Sequence, residues 1–364
     1  MIDRRTMLLS TAAVGLAGAV PAHGRRAAVL GTVLGAGLVG QGEGVLSVLD
    51  LDDRAGEPRR IDLDFYGHGI ALDPLDAARV AVFQKGGPGA CTVDLRRGVV
   101  LQPIPPREGR DFYGHGAFSP DGKLLYATQR VVGERFRGVI VVRDGRTLEE
   151  LGEFPSYGVN PHDCVLRDRG RTLVVTNGGG GAYDDTEPPC VTYVDVAGRR
   201  LIERVPIASP DVGAGHLALT ARGDLAVVSA DRFGHKTRDG VGAVSFRPVG
   251  SELRTMTDPL EVTARMRGES LSVAIHEPTG VVGVTNPFGG LVTFWDLARG
   301  RCVASLDLAY PRGIALALDG SRFVVSYGKS TRLVEVSTET LSPVPGSVRS
   351  GLDFESSHIV VHHA

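Results

Sequence analysis

The chain has 364 residues, a formal net charge of −2 at pH 7, 42% hydrophobic content, 49 glycines and 21 prolines. So small a net charge excludes a general electrostatic case for nucleic acid or an anionic membrane surface. The hydrophobic fraction is ample for a packed core. Many short Val- and Leu-rich segments, punctuated by Gly and Pro, point to one closed all-β domain rather than two domains.

The first residues read as an export signal. Asp3-Arg4-Arg5-Thr6-Met7-Leu8 resembles a twin-arginine motif, residues 7–20 are uncharged and mostly apolar, and Val20-Pro21-Ala22 offers small residues to a signal peptidase. That stretch is too short for a comfortable membrane span, and no later segment approaches the ~20 apolar residues required. The expectation is a twin-arginine-type signal peptide over residues 1–22, then a single domain over 27–364, located in the periplasm. Cys91, Cys164, Cys190 and Cys302 show no metal-ligand spacing. Export would permit Cys164 and Cys190 to pair, and burial as small strand residues is the alternative.

Next come the repeats. Gly67-His68-Gly69 and Gly114-His115-Gly116 are copies of one motif, and Pro161-His162-Asp163 is a third, with the histidines spaced by 47 residues each time. Each opens a strand, a turn and a second strand, and Asp-Gly at 121–122 is tight-hairpin chemistry. Similar passages begin at Gly215, Ser272 and Arg312. Third strands are expected over 90–95, 139–143, 191–196, 241–246, 291–297 and 332–336, and residues 260–270 suggest a short helical insertion. Four antiparallel strands per ~40–50 residues is a propeller blade. Six complete units open near residues 66, 113, 160, 215, 272 and 312. The N-terminal stretch supplies three strands without an inner one, and the chain ends in the lone strand "SSHIVVHH". Joining the two predicts a seven-bladed β-propeller closed by the C-terminal strand pairing into the N-terminal blade.

Closure would gather His68, His115, His162, His216 and His358 around one channel mouth, with Ser272 and Arg312 at the matching places in the last two units. Imidazole is the commonest protein ligand for transition metals, so these five are candidate metal ligands, with copper or iron as candidate ions. Metal–nitrogen bonds of ~2 Å against a wide mouth predict that one small ion engages three of them, and His68, His115 and His162 are the best-matched copies. Asn160, Asp163 and Asn177 are expected beside the mouth, followed by glycines 178–181. Asp184, Asp185 and Glu187 are further carboxylates. The alternative is that each histidine ties its blade to the next. No nucleophile elbow, phosphate loop, H-E-x-x-H or dinucleotide fingerprint is present.

The repeated Gly-His-Gly, the Pro-His-Asp step and Thr176-Asn177-Gly178-Gly179 together resemble the exported bacterial proteins grouped as domain of unknown function 1513. The resemblance spans roughly residues 27–362 and is densest over 65–180. It implies a seven-bladed propeller, export, and a role near iron-uptake components as partners. It supplies no catalytic residues. Gln129-Arg130 and Ser356-Ser357 depart from the expected pattern. Three functions compete: a binding protein for a transition metal or metal complex in iron handling, a redox metalloenzyme with a histidine-ring cluster, and an interaction scaffold with structural histidines.

Overall fold

A computed structural model describes residues 29–39, 42–180, 187–232, 240–329, 331–352, 354, 356 and 358–363. The expected signal peptide lies outside the described residues, as do Asp184, Asp185 and Ser357. Among the described residues no helix is long and apolar enough to cross a membrane. The helical insertion expected over 260–270 is one turn, Leu260–Thr263.

The chain folds as an all-β propeller, but the expectation of seven separate blades is corrected. Hydrogen bonding organises the described strands into five discrete four-stranded blades and one continuous eight-stranded sheet. The eight-stranded sheet contains the repeats that open near residues 66 and 113. Strand Arg79–Gly87 runs on past its own hairpin. Its end pairs with the next repeat, Lys85 opposite Tyr113 and Gly87 opposite Phe112. The sequence treats the two as separate units because each carries its own turns; the extra length of one strand is what fuses them. At the chain's end, Ile359–His362 lies antiparallel to Thr32–Val39, with Ile359 opposite Gly35 and His362 opposite Thr32.

Burial follows strand position. The second and third strands of a unit, such as Thr172–Asn177 and Cys190–Asp195, are buried almost throughout. They face a neighbouring sheet on each side, so they read as continuous apolar runs without alternation. Outer strands such as Arg301–Asp307 alternate between exposed and half-buried positions. The core therefore lies between sheets. Phe246 and Trp295 pack with ring centroids 6.1 Å apart among Val228, Val282 and Val284. Each fully buried aliphatic or aromatic side chain there is worth about 1.5–3 kcal/mol. Trp295 also satisfies its indole N–H by donating to Thr293 Oγ1 at 2.8 Å.

All four cysteines are free. Burial pushes the Cys91 thiol up to about 12 and the Cys164 thiol well above its usual value, so both are inert small core residues. The possible Cys164–Cys190 pairing does not occur.

Candidate metal centre

The first three histidines stand on the innermost strands Gly67–Leu72, Arg110–Phe118 and Pro161–Arg167. In each strand the pairing register shifts across the histidine: between Gly67 and Gly69, between Phe112 and Gly116, and between Pro161 and Cys164. Such bulges re-aim a side chain. The glycines of the motif have a steric reason. A Cβ on Gly69 would lie 2.2 Å from the Gly114 carbonyl oxygen and 2.7 Å from His115 Nδ1. Gly114 has φ +120°, and a Cβ there would meet the His68 ring at 2.8 Å. Glycine is what lets one imidazole lie against the backbone of the next repeat.

The side chains converge. His216 Nε2 lies 2.8 Å from His162 Nε2, 3.1 Å from His115 Nε2 and 3.4 Å from His68 Nε2. One ligand atom from each of His68, His115, His162 and His216 falls within 4.8 Å of the others, so this cluster could hold a metal ion. The expectation that a wide mouth limits one ion to three histidines fails here. The imidazole tips close to 2.8–3.4 Å around His216 Nε2. His358 joins the same layer: its ring centroid is 3.6 Å from that of His216 and 4.5 Å from that of His68. Its Nδ1 is 2.8 Å from Ser272 Oγ.

The cluster is a buried layer rather than an open mouth. His68, His162, His216 and His358 are all under 9% exposed. A polar cavity of about 280 Å³ lies on one side, lined by Lys85, Tyr113, Asn160, His162, His216 and Glu269 among others. A larger cavity of about 520 Å³ lies on the other, where His115, His216 and His358 meet aliphatic walls. Desolvation pushes the His115, His162 and His358 pKa values below the ordinary range, those of His162 and His358 well below it. Lys85 and the neighbouring imidazoles add to the effect at His162. These rings are therefore held neutral, the form that ligates metals.

Two outer contacts orient the ligands. His115 Nδ1 faces Asp163 Oδ1 at 3.3 Å, and His216 Nδ1 is 2.7 Å from the Leu271 carbonyl oxygen. Asp163 is itself fixed, accepting from Cys164 N at 2.8 Å and Leu217 N at 3.1 Å. A carboxylate or carbonyl behind a histidine sets the tautomer and raises ligand basicity.

The other expected neighbours divide. Asn160 borders the polar cavity, donates to the Gly179 carbonyl at 3.0 Å and lies 3.5 Å from Arg130 Nη1. Arg312 donates to Tyr310 Oη at 3.2 Å and to the Ser356 carbonyl at 3.3 Å. Asn177 is not brought to the cluster. It is fully buried inside its sheet, accepting from Ser156 Oγ at 2.7 Å and donating to Thr192 Oγ1 at 3.2 Å. Ser270 and Asn286 repeat that contact at 2.7 Å, which marks it as a structural clamp.

Sequence reasoning missed a set of ties. Thr176 Oγ1 accepts from Asp163 N at 3.0 Å and donates to the Gly215 carbonyl of the next repeat at 2.5 Å. Thr285 accepts from Ser272 N at 3.0 Å and donates to the Arg312 carbonyl at 2.6 Å. Thr128 accepts from His115 N at 3.2 Å, and Ser326 from Gly313 N at 2.9 Å. In all four, the hydroxyl comes 13 residues after the residue whose backbone N–H it accepts. That constant step from the inner segment to a Thr or Ser was the available signal.

The fold is shared with solved structures of low identity. A hypothetical selenium-binding protein from Sulfolobus tokodaii superposes with a TM-score of 0.69 at 11% identity, over 93% of this chain and 94% of its own. Kuenenia stuttgartiensis hydrazine synthase gives a TM-score of 0.65 at 16% identity, over 82% of this chain and 90% of its own. At these identities the likeness is one of architecture. No curated protein sequence matches. A family model described as "Protein of unknown function (DUF1513)" matches residues 61–354, and the chain belongs to that family.

Proposed function

We propose that this protein binds one first-row transition-metal ion through His68, His115, His162 and His216. One observation carries the reading. His115 and His216 each present Nδ1 to an oxygen that only accepts, the Asp163 carboxylate and the Leu271 carbonyl. Neutral rings so held carry their proton on Nδ1, which leaves a lone pair on each Nε2. Those two nitrogens face each other 3.1 Å apart in a buried site. Opposed lone pairs at that distance repel, and protonating His115 there would charge a ring whose pKa desolvation lowers. A cation between them removes the conflict and uses both lone pairs.

The donor set is four imidazole nitrogens with no thiolate, which suits copper, iron, zinc or nickel in preference to calcium or magnesium. Copper and iron are the ions of first choice. An exported location and a role in iron handling are part of the proposal. They are supported by Arg4-Arg5 ahead of an apolar stretch and by the family resemblance.

Metal analysis of the purified protein tests the reading. About one transition-metal ion per chain is expected, retained through dialysis and carried by neutral imidazole ligands. Replacing His68 and His115 together by alanine should bring it to background. His276→Ala should not, since His276 lies outside the cluster and contacts Thr279 Oγ1 at 2.7 Å. Unchanged metal content in the double variant would end the proposal.

A further inference from the structure

The open polar cavity of about 280 Å³ has a feature that metal binding by itself leaves in conflict. Lys85 and Tyr113 line it beside His162 and His216. The two lie opposite each other where the first two histidine repeats fuse. Lys85 Nζ is 5.9 Å from the Tyr113 ring centroid, and that ring is 6.0 Å from the His162 ring. Lys85 is half-buried, and its charge lowers the pKa of both His115 and His162. An ammonium that disfavours a proton on these rings disfavours a metal ion on them for the same Coulombic reason. A site built to hold a cation therefore carries a fixed positive charge in the cavity beside it.

Building on the metal reading above, we infer that this cavity holds a small monocarboxylate on the Lys85 ammonium and the Tyr113 hydroxyl, its charge offsetting that of an ion on the quartet. Formal charge sets the valence. Lys85, Arg232, Asp231 and Glu269 are the charged side chains of the cavity wall, and they sum to zero. Four neutral imidazoles add nothing, and Asp163, 3.3 Å from His115, supplies one negative charge. A divalent ion then leaves one positive charge over, which a monoanion cancels and a dianion overshoots. The donors set the head group. Burial pushes the Tyr113 hydroxyl up, so it stays protonated and can donate alongside the ammonium. A carboxylate presents two oxygens, one for each donor, and charge-assisted hydrogen bonds of this kind are the strong ones. The volume falls just below the roughly 300–1,000 Å³ of drug-sized ligand sites, which suits an acid of a few carbons.

Acetate is the probe and neutral acetamide its control, in titrations of copper(II) against a competing chelator at constant ionic strength. Acetate should tighten metal binding about fivefold or more, the lower end of ordinary coupling between sites, and acetamide should leave it unchanged. Acetate also complexes copper weakly in solution, which lowers the apparent affinity, so a rise reports a site on the protein. By linkage, the metal-loaded protein should bind acetate more tightly by the same factor. Lys85→Met should abolish the acetate effect and, without acetate, hold the ion more tightly than the native chain. Lys123→Met, at an exposed cation paired with Asp121, should change neither. No acetate effect in the native chain, an equal effect of acetamide, or an undiminished effect in Lys85→Met would each overturn the inference. If Lys85→Met does not fold, acetate against acetamide in the native chain still decides. A native chain that takes up no metal ends both readings, whereas metal retained without an acetate effect ends only this one.

Discussion

Two of the repeats that carry histidines and the two that do not place a hydroxyl on the same backbone N–H. In the former, Thr176 bridges Asp163 N and the Gly215 carbonyl; in the latter, Thr285 bridges Ser272 N and the Arg312 carbonyl. The hydroxyl bridge persists where the histidine position holds Ser272, and in the last unit Ser326 still accepts from Gly313 N, next to Arg312. Tying one repeat to the next therefore does not require imidazole. At His115 and His162 the imidazole can be separated from the scaffold, which weighs against those rings being structural ties. The repeats opening near residues 66, 113, 160 and 215 contribute the quartet, and the next contributes Ser272, whose Oγ lies 2.8 Å from His358 Nδ1.

Several experiments would break or sharpen this contrast. The largest effect is expected from the quartet itself: His68→Ala with His115→Ala should abolish metal retention, read by elemental analysis, while circular dichroism stays that of a folded β protein. Acid should come next. His115, His162 and His358 have folded-state pKa values pushed below the unfolded value of about 6.5, so the unfolded chain binds more protons in that window. Their contribution is full above about pH 6.5 and is lost as pH falls from there toward the folded values. The metal-free protein should lose up to about 1.4 kcal/mol per pH unit for each of the three. Hydrogen exchange should show Pro161–Arg167 opening before Ile314–Leu316; simultaneous opening would mean the histidine side is no more acid-sensitive than the rest.

Asp163→Asn should come third. It keeps the shape but removes the charge behind His115, and loss of such an outer partner typically costs about 10- to 100-fold in metal affinity. A competition titration with a chelator reads it. Smallest is Thr285→Val, which strands the Ser272 N–H and the Arg312 carbonyl, neither of them in the quartet. It should cost about 1–3 kcal/mol of stability by denaturant titration and leave metal content unchanged. Thr176→Val should cost a similar amount and also weaken metal binding, because it holds Asp163 and the residue before His216.

The histidines were readable because the repeat is. The 47-residue steps put His68, His115 and His162 in register, and the lone terminal strand drew attention to His358. Asn177 misled because adjacency in sequence to a site residue says little about direction. Thr176 and Asn177 end the same strand, where successive side chains point to opposite faces, and only Thr176 meets the inner strand beside the cluster. The 13-residue hydroxyl ties were equally periodic, yet Thr and Ser in strands are too common to stand out without the contacts they make.

From the sequence alone came the repeat, the all-β propeller, the positions of the inner strands and the five histidines, because short-range alternation, turn residues and a fixed period are properties of the chain itself. Tertiary structure decided how many sheets those repeats form, since the fusion through Lys85 and Gly87 depends on where one long strand meets its neighbour. It also decided that four Nε2 atoms close to within one ion's reach, because that distance is set by bulges, by glycine-permitted approach and by oxygens fixed behind His115 and His216.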